Sequence, residues 1–204
     1  MILGITGGTG SGKTTLLNII REQGGLVLDC DAIYHQLLKT DKALLRAIED
    51  RFPGVVEDGC LNRKKLGAIV FSDEAALLEL NRITHGAVKK EVLCKLKTAP
   101  ELAAIDAIGL FEVNLAQICH VTVAVTAPAE VRVQRLMARD GISEDYAKHR
   151  IAAQHSDDWF REKCAVVLEN NGTEADFRNK CLAFMQGLGI MKEKSNKGDH
   201  HYDQ

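Results

Sequence analysis

The sequence has no excess of charge of either sign. Its 204 residues include 26 lysines and arginines against 28 aspartates and glutamates, which gives a formal net charge of −2. Proteins that bind nucleic acid or anionic membranes through bulk charge carry a strong basic excess. We therefore expect neither nucleic acid nor a membrane among the partners of this chain.

Long apolar runs are also missing. No run approaches the ~18 apolar residues that span a bilayer, and Met1–Thr6 has no basic segment of the kind that opens a signal peptide. Hydrophobic residues still make up 46% of the chain and charged residues 26%, enough to bury a real core. We expect a soluble, cytoplasmic protein built as one domain.

The six cysteines form no C-x-x-C pair, so the sequence contains neither a zinc knuckle nor a dithiol redox motif. The chain is also long enough to fold without disulfide staples. We expect free thiols in a reducing compartment. The cysteines are Cys30, Cys60, Cys94, Cys119, Cys164 and Cys181.

Short apolar runs alternate with helical patterns along the chain. The runs are continuous rather than alternating, which is typical of parallel strands covered on both faces. Strands that alternate with helices predict an α/β fold with a doubly wound, parallel, five-stranded sheet. The predicted strands are Ile2–Thr6, Leu26–Cys30, Leu102–Ile105, Val121–Thr126 and Ala165–Leu168.

Two connections are longer than a crossover requires. The segment 31–100 is mostly helical in pattern and is interpreted as an inserted helical subdomain. The segment 140–155, with Ser143 capping a helix Glu144–His155, is interpreted as a lid. The remaining parts of this single domain are the core, 1–30 plus 101–139 plus 156–188, and a polar tail, 192–204, for which we predict disorder.

A glycine-rich motif, G-x-x-x-x-G-K-[ST], follows the first predicted strand and leads into an amphipathic helix. Glycines permit backbone angles that turn successive amides toward a phosphate. The lysine of this motif reaches the β- and γ-phosphates, and its hydroxyl residue binds Mg²⁺. The motif therefore predicts binding of a nucleoside triphosphate. Its residues are Gly7, Gly8, Thr9, Gly10, Ser11, Gly12, Lys13 and Thr14.

Carboxylates end two other predicted strands. Asp106 closes the third strand, where it could hold Mg²⁺ directly or through water, or could only cap the next turn. Asp29 and Asp31 end the second strand, at the edge where open α/β sheets bind ligands. One of them could accept a proton from an incoming hydroxyl, although Asp31 could equally be the N-cap of a helix Ala32–Leu38.

The segment Asn196–Asp199 fits the N-K-x-D pattern with which GTPases recognise guanine. That pattern belongs at the end of a buried strand, whereas the residues before it, Met191–Ser195, are charged and close to the terminus. We interpret the match as chance, so the sequence favours ATP over GTP.

Taken in order, these landmarks resemble the dephospho-CoA kinases, a family of P-loop kinases. The likeness extends from Ile2 to about Gly172 and rests on the order and spacing of several segments. These are Ile5–Thr15, Leu28–Ile33, Asp58–Arg63 with Leu66 and Val70-Phe71, Leu80–His85, Gln134–Arg139, Arg150–Gln154, and Asn170–Gly172.

The sequence departs from the family pattern at several positions. The departures are Thr9 in place of isoleucine, Gly86 in place of proline, Ile108 and Gly109 in a segment that has lost a proline and a leucine, and Ala165 in place of an acid. They concern local loop geometry and contacts to the nucleotide base more than the reaction.

The resemblance implies transfer of the ATP γ-phosphate to the ribose 3′-hydroxyl of dephospho-CoA, the last step of coenzyme A synthesis. In this hypothesis Asp31 orients the acceptor hydroxyl and can deprotonate it. Lys13 and the loop amides hold the donor phosphates, and Thr14 holds Mg²⁺ with help from Asp106. Positioning and nearby cations supply most of the catalysis of phosphoryl transfer.

The resemblance also implies residues outside the loop. Arg139, helped by Arg135 on the same helix face, would close over the transferring phosphoryl group from the lid. Asn170 would join residues 8–15 in binding ATP. Arg63 and His85 are candidates for binding dephospho-CoA within the helical insertion.

Two other functions compete with this one. A kinase for a different small molecule or for a nucleoside monophosphate would have the same loop and lid. A nucleotide sensor would bind ATP and Mg²⁺ without transfer to any acceptor, but the presence of Lys13, Thr14 and Asp31 argues against it. The sequence contains no signal of oligomeric state.

Overall fold

The computed structural model describes residues 1–190, and a five-stranded parallel sheet forms its centre. In chain order the strands are β1 (Ile2–Thr6), β2 (Leu26–Asp29), β3 (Val56–Glu57), β4 (Cys60–Leu61), β5 (Ala103–Asp106), β6 (Val121–Thr126) and β7 (Val166–Glu169). Within residues 1–190, β3 and β4 form a separate pair, and the other five strands form this sheet. The sheet has the order β2-β5-β1-β6-β7, so all five predicted strands are confirmed to within one residue at either end. The fold class is confirmed with them.

Nine α-helices accompany the strands within residues 1–190. They are α1 (Lys13–Glu22), α2 (Cys30–Thr40), α3 (Lys42–Arg51), α4 (Arg63–Val70), α5 (Glu74–Leu96), α6 (Ala129–Asp140), α7 (Glu144–Ala152), α8 (Asp157–Lys163) and α9 (Glu174–Gly187). A short 3₁₀ helix, Ala116–Ile118, precedes β6. Of these described helices, none is long and apolar enough to cross a bilayer.

The two faces of the sheet bury separate cores. On one face, α1 contributes Leu16 and Ile19 and α9 contributes Phe177, which pack against β1 side chains. On the other face, Ile33 from α2 and Val92 from α5 pack against the residues after β2 and β5. Helices on both faces explain why these strands are apolar throughout instead of alternating.

The segment between β2 and β5 has a third core of its own. Helices α2 to α5 enclose it, with Ile48 and Phe52 among its most buried members. Tyr34 and Leu37 of α2 contact both this core and the one on the sheet, and so join the two. The antiparallel pair β3–β4 also lies here and was not predicted, because strands of two residues leave no periodic pattern.

Several predicted boundaries are corrected. Helix α2 begins at Cys30, and its N-cap is Asp29, whose side chain accepts a hydrogen bond from Ala32 N at 2.9 Å; the alternative with Asp31 as the cap is therefore wrong. Helix α7 ends at Ala152, short of His155, although Ser143 caps it as expected. The predicted tail, 192–204, and the N-K-x-D match lie outside the described residues.

The register of the sheet assembles the predicted carboxylates. Asp29 and Asp106 are direct neighbours on β2 and β5, and Ile5 of β1 lies beside Asp106 on the other side. Carboxyl ends of parallel strands meet at one edge, which is where ligands of open α/β sheets bind. The glycine-rich segment starts just after Thr6, at this same edge.

Candidate active site

The loop between β1 and α1 has a backbone that only glycine adopts without strain at several points. Gly10 has φ 78° and Gly12 has φ 99°, both in the left-handed region. A Cβ on Gly12 would also lie 2.3 Å from the Asn170 Nδ2 atom. These positions require glycine for the turn itself and for the close approach of neighbouring side chains.

The amides on the inner side of this loop are free to bind a ligand. Among residues 1–190, the backbone N–H groups of Gly10, Gly12, Lys13 and Thr14 donate to no protein acceptor. The last two begin α1, where the helix dipole also favours an anion. The inner side of the loop is therefore suited to phosphate oxygens.

The carbonyl groups on the outer side of the loop are bonded to side chains. Arg132 Nε donates to Thr9 O at 2.9 Å, and Arg135 Nη1 donates to the carbonyls of Gly10 and Ser11, each at 3.2 Å. Asn170 Nδ2 donates to Ser11 O at 2.8 Å. Because the carbonyls of Thr9 and Ser11 are held outward, the N–H groups of the same peptides, on Gly10 and Gly12, are held inward before any ligand binds.

A pocket of about 660 Å³ opens in front of these amides. Lys13 extends along it, and its Nζ donates to Gly7 O at 2.9 Å. Burial lowers the pKa of Lys13, and the charges of Asp106 and Asp31 oppose that shift. The residues that line the pocket are Thr9, Gly10, Ser11, Gly12, Lys13, Thr14, Asp29, Asp31, Asp106, Ala107, Ile108, Arg135, Leu136, Ala138, Arg139 and Arg150.

Two hydroxyls of the loop have different surroundings in this pocket. Ser11 is 1% exposed, and its Oγ has no hydrogen-bond partner within the described part of the chain. A buried hydroxyl without a partner is costly unless a ligand satisfies it. The side chain of Thr14 is exposed to the pocket, whereas Thr15 lies beyond the lining and donates its amide to Gly12 O.

The acidic wall of the pocket consists of Asp29, Asp31 and Asp106. Burial raises the pKa of Asp106 to about 6, partly opposed by Lys13 and reinforced by the other two carboxylates. Asp29 is occupied by the cap of α2. The side chain of Asp31, in the first turn of that helix, makes no hydrogen bond within residues 1–190, which leaves its carboxylate available for a ligand.

A second pocket, of about 230 Å³, lies on the other side of Asp31. It shares Asp31, Ala107 and Ile108 with the first pocket. Its other lining residues come from α2, α5 and the segment after β5, and they are Cys30, Tyr34, Leu80, Asn81, Thr84, His85, Val88, Gly109 and Val113. The two pockets thus adjoin along these three shared residues, with a carboxylate at the junction, and together they are called the cleft.

Of the two residues expected to bind an acceptor, one lines this second pocket and the other does not. His85 lines it, and burial lowers the pKa of His85 against the opposing charge of Glu112, which favours a neutral ring. Arg63 lines neither pocket; its Nη2 lies 3.3 Å from His35 Nδ1. Burial raises the pKa of the neighbouring Tyr34, which does line the pocket, and the charge of Arg63 opposes that shift.

Arg139 lies at the rim of the first pocket, at the end of α6. It is paired with Asp140, which also binds Arg150 at 2.7 Å. These two arginines hold the pKa of Asp140 at about 2. Two cations that share one anion leave a positive charge at the rim. Arg150, part of a segment used for the family resemblance, was not singled out as a site residue.

Two side chains that were expected to act on ATP are bonded to the loop in the structure. Arg135, expected beside the transferring phosphoryl group, lines the pocket, and its guanidinium donates to loop carbonyls and, at 3.3 Å, to Asn170 Oδ1. Asn170 was expected to contact ATP, but it is buried behind Ser11 and does not line the pocket. Both side chains support the loop, Asn170 from behind it and Arg135 from the wall of the pocket.

Sequence reasoning missed Arg132 and Gln154. Arg132 is 4% exposed on α6, and Gln154 Oε1 accepts the Thr9 amide at 2.8 Å. The signal for Arg132 was the repeat of arginines at 132, 135 and 139 on one helix, which is equally typical of a solvated basic face. Gln154 closes the segment Arg150–Gln154 that carried part of the resemblance, but that segment gave no role for it. A Cβ on Gly8 would lie 2.1 Å from Arg132 Nη2, so the loop is fitted to this arginine.

The donors at the cleft suit a hard divalent cation. Thr14 offers a hydroxyl and Asp106 a carboxylate, the oxygen ligands that Mg²⁺ prefers. Among residues 1–190 no group of three His, Cys, Asp or Glu side chains could hold a metal by itself. A cation here would therefore complete its coordination with nucleotide phosphates and water.

Comparison with known proteins gives a consistent result. The model of the dephospho-CoA kinase family matches residues 1–176. A dephospho-CoA kinase from Carboxydothermus hydrogenoformans is 35% identical over 191 residues, which cover 91% of this chain and 93% of that protein. A crystal structure of a Thermus thermophilus protein superposes with a TM-score of 0.77 at 34% identity, covering 92% of this chain and 97% of that one.

A dephospho-CoA kinase from Campylobacter jejuni superposes with a TM-score of 0.67 at 24% identity, over 93% of this chain and 98% of that chain. At that identity the likeness concerns the fold alone. The fold, a five-stranded parallel sheet with a phosphate loop after its first strand and helices on both faces, is that of the P-loop kinases.

Proposed function

The chain belongs to the dephospho-CoA kinase family, whose members transfer phosphate from ATP, and from this premise we propose that its acceptor is the ribose 3′-hydroxyl of dephospho-CoA. The product would be coenzyme A. The observation that carries the proposal is the position of Asp31, which lines both halves of the cleft and has no protein partner among the described residues.

Asp31 would act on the acceptor. With the donor phosphates in the first pocket and the acceptor nucleoside in the second, the 3′-hydroxyl lies beside this carboxylate. The 3′-oxygen forms a bond to the γ-phosphorus while the bond from that phosphorus to the bridging oxygen of ADP breaks. The hydroxyl proton passes to Asp31 and then to solvent.

Lys13 and the loop would act on the donor. The inward amides of Gly10, Gly12 and Thr14 would hold phosphate oxygens, and Ser11 Oγ would find in one of them the partner that it lacks. Lys13 would leave Gly7 O and follow the charge that develops on the transferring group. Because these donors are already oriented, little reorganisation is needed at the moment of transfer.

Thr14 and Asp106 would hold Mg²⁺ together with the nucleotide. The chemistry that the ion would supply when bound is neutralisation of the phosphate charge. The chain's own part is to keep a hydroxyl and a carboxylate at the two sides of the pocket. The positive charge of the ion would favour the ionised form of Asp106 and so oppose the burial that raises its pKa.

The segment 140–155 would serve as the lid. Helix α7 packs on α6 through a small core of Val133, Leu136 and Ala147, so it can move as a unit with few contacts to the sheet. Closure would let Arg139 exchange Asp140 for a phosphate oxygen, and would exclude the water that otherwise hydrolyses ATP.

The helical segment 31–100 would bind the acceptor. His85 would offer a neutral ring nitrogen to the acceptor in the second pocket, and Arg63, just outside it, would meet an anionic part of the same molecule. A cytoplasmic location suits this reaction and agrees with six cysteines that are all free thiols.

An assay of ADP release with and without dephospho-CoA tests the proposal. We expect release that depends on dephospho-CoA and on Mg²⁺, with a low rate in the absence of acceptor. A panel of other alcohols and nucleoside monophosphates serves as the control. Turnover of one of these acceptors but not of dephospho-CoA would assign the chain to a different small-molecule kinase, and ATP binding without any transfer would indicate a sensor.

A further inference from the structure

Thr9, at the tip of the phosphate loop, has both of its backbone polar groups bonded to side chains from outside the loop. Its N–H donates to Gln154 Oε1 at 2.8 Å, and its carbonyl accepts from Arg132 Nε at 2.9 Å. Arg132 Nη2 also donates to Gln154 Oε1, at 3.2 Å. The three groups form a closed ring in which one amide oxygen accepts two hydrogen bonds.

This ring lies where the loop would otherwise be most mobile. Thr9 stands between Gly8 and Gly10, whose backbones have the widest conformational freedom. Thr9 is held from outside by both of its backbone polar groups, and the Gly10 N–H, which faces the pocket, belongs to the same peptide group as the held carbonyl of Thr9. Rotation of the Thr9–Gly10 peptide would turn the Gly10 N–H away from a phosphate.

Gln154 is itself firmly supported. It lies between α7 and α8, and its neighbour His155 stacks on Trp159 with ring centroids 3.7 Å apart. His155 Nε2 also lies 2.7 Å from Glu112 Oε1, in the segment after β5. Ser156 caps α8 by accepting from Trp159 N. These contacts anchor the end of the segment 140–155 beyond α7, so Gln154 can hold the loop from there while α7 itself moves.

We propose that Gln154 is a positioning residue for the phosphate donor: through Thr9 it sets the orientation of the loop amides, and it links that orientation to the end of the segment 140–155. Gln154 does not line the pocket, so it acts through the loop and not by touching ATP. The inference rests on the proposed site for the donor phosphates, but it does not depend on the identity of the acceptor.

The test compares variants that remove or keep the accepting oxygen. Gln154→Leu and Gln154→Ala remove it, and leave the Thr9 amide and a donor of Arg132 without a partner. Gln154→Glu keeps an oxygen in place, with Arg132 to neutralise its charge. Gln186→Leu, on the exposed side of α9, is the matched control. The measurements are calorimetric binding of a non-hydrolysable ATP analogue with Mg²⁺, and the KM values of both substrates.

We expect the two oxygen-removing variants to bind the analogue about tenfold more weakly, as the loss of one buried acceptor predicts, and to keep their acceptor KM within about twofold. We expect Gln154→Glu and the control to bind as the unmodified protein does. Unchanged binding by Gln154→Leu and Gln154→Ala would overturn the proposal. So would a Gln154→Glu variant as weak as these, or equal weakening toward both substrates.

The binding measurement needs no acceptor. A chain that fails to phosphorylate dephospho-CoA would therefore refute the proposed function and leave the role of Gln154 still decided by the nucleotide affinities. Melting temperatures of all four variants, measured without nucleotide, separate a loss of affinity from a loss of fold. If Gln154→Leu lost affinity only because it unfolded, and a folded Gln154→Ala bound the analogue normally, the proposal would be wrong.

Discussion

The two halves of the cleft that meet at Asp31 are built in different ways. The donor half is made largely of backbone groups from one short loop, and side chains such as Arg132 and Arg135 fix its geometry. The acceptor half is made of side chains from α2, α5 and the segment after β5, which approach one another only in the folded chain. Backbone recognition suits phosphate, which every ATP carries, while side chains can be adapted to a particular acceptor.

Asp31 belongs to both halves, so its substitution gives the largest expected effect. In Asp31→Asn the amide cannot take the acceptor proton, and we expect kcat to fall by about 10²–10⁴-fold. Binding of ATP and dephospho-CoA should change little, since the side chain keeps its size. Asp58→Asn is the matched control, because this exposed turn residue has φ 50°, an angle that asparagine also tolerates. Near-normal turnover by Asp31→Asn would remove the base from the mechanism.

A substitution in the donor half should affect ATP alone. We expect Lys13→Ala to lower kcat/KM for ATP by about 10²–10³-fold, as the loss of an oriented cation at a developing charge predicts. The affinity for dephospho-CoA, measured by calorimetry without nucleotide, should stay the same. A large loss of acceptor affinity would show that the two halves are less independent than their construction indicates.

Asp106 allows the electrostatics of the donor half to be tested in the free protein. Because its pKa rises from 3.8 in the unfolded chain to about 6 in the fold, the folded state keeps the proton longer. This group therefore favours folding below pH 4, and that contribution, up to about 3 kcal/mol, is lost as the pH rises through 6.

We accordingly expect Asp106→Asn to gain stability relative to the unmodified protein as the pH rises from 4 to 7. Urea unfolding without ATP and Mg²⁺ measures the difference at each pH. A difference that stays constant over this range would mean that the carboxylate is not buried as the structure places it.

The smallest effect is expected in the acceptor half. We expect His85→Asn to raise the KM for dephospho-CoA by about 2–10-fold, the loss of one neutral hydrogen bond, while the KM for ATP stays constant. Since burial keeps the pKa of His85 low, the dephospho-CoA KM of His85→Asn divided by that of the unmodified protein should not vary between pH 7 and 8. A change of equal size in the KM for ATP would contradict the assignment of His85 to the acceptor half alone.

The same contrast explains what the sequence could predict. The phosphate loop is contiguous, so its spacing alone placed Lys13 and Thr14 at the pocket, and apolar runs located all five strands. Arg132 and Gln154 were missed because their contacts to Thr9 arise from the packing of α6 and of the segment after α7, which no local pattern records.

A second limit concerns strand ends. Because β2 ends at Asp29 rather than Cys30, the cap of α2 is Asp29 and the carboxylate of Asp31 is left unused. A shift of one residue thus decides which carboxylate is available for chemistry. Sequence patterns locate element ends only to within a few residues, so the residues alone left the choice between these two carboxylates open, and the resemblance to the family favoured Asp31.

The position of the phosphate on the product tests the central claim most directly. After incubation with ATP, Mg²⁺ and dephospho-CoA, phosphorus–proton correlation NMR should show a new phosphomonoester coupled to the ribose 3′ proton, in amounts equal to the ADP formed. ADP formed without any new phosphate on the acceptor, or a phosphate at another hydroxyl, would contradict the account.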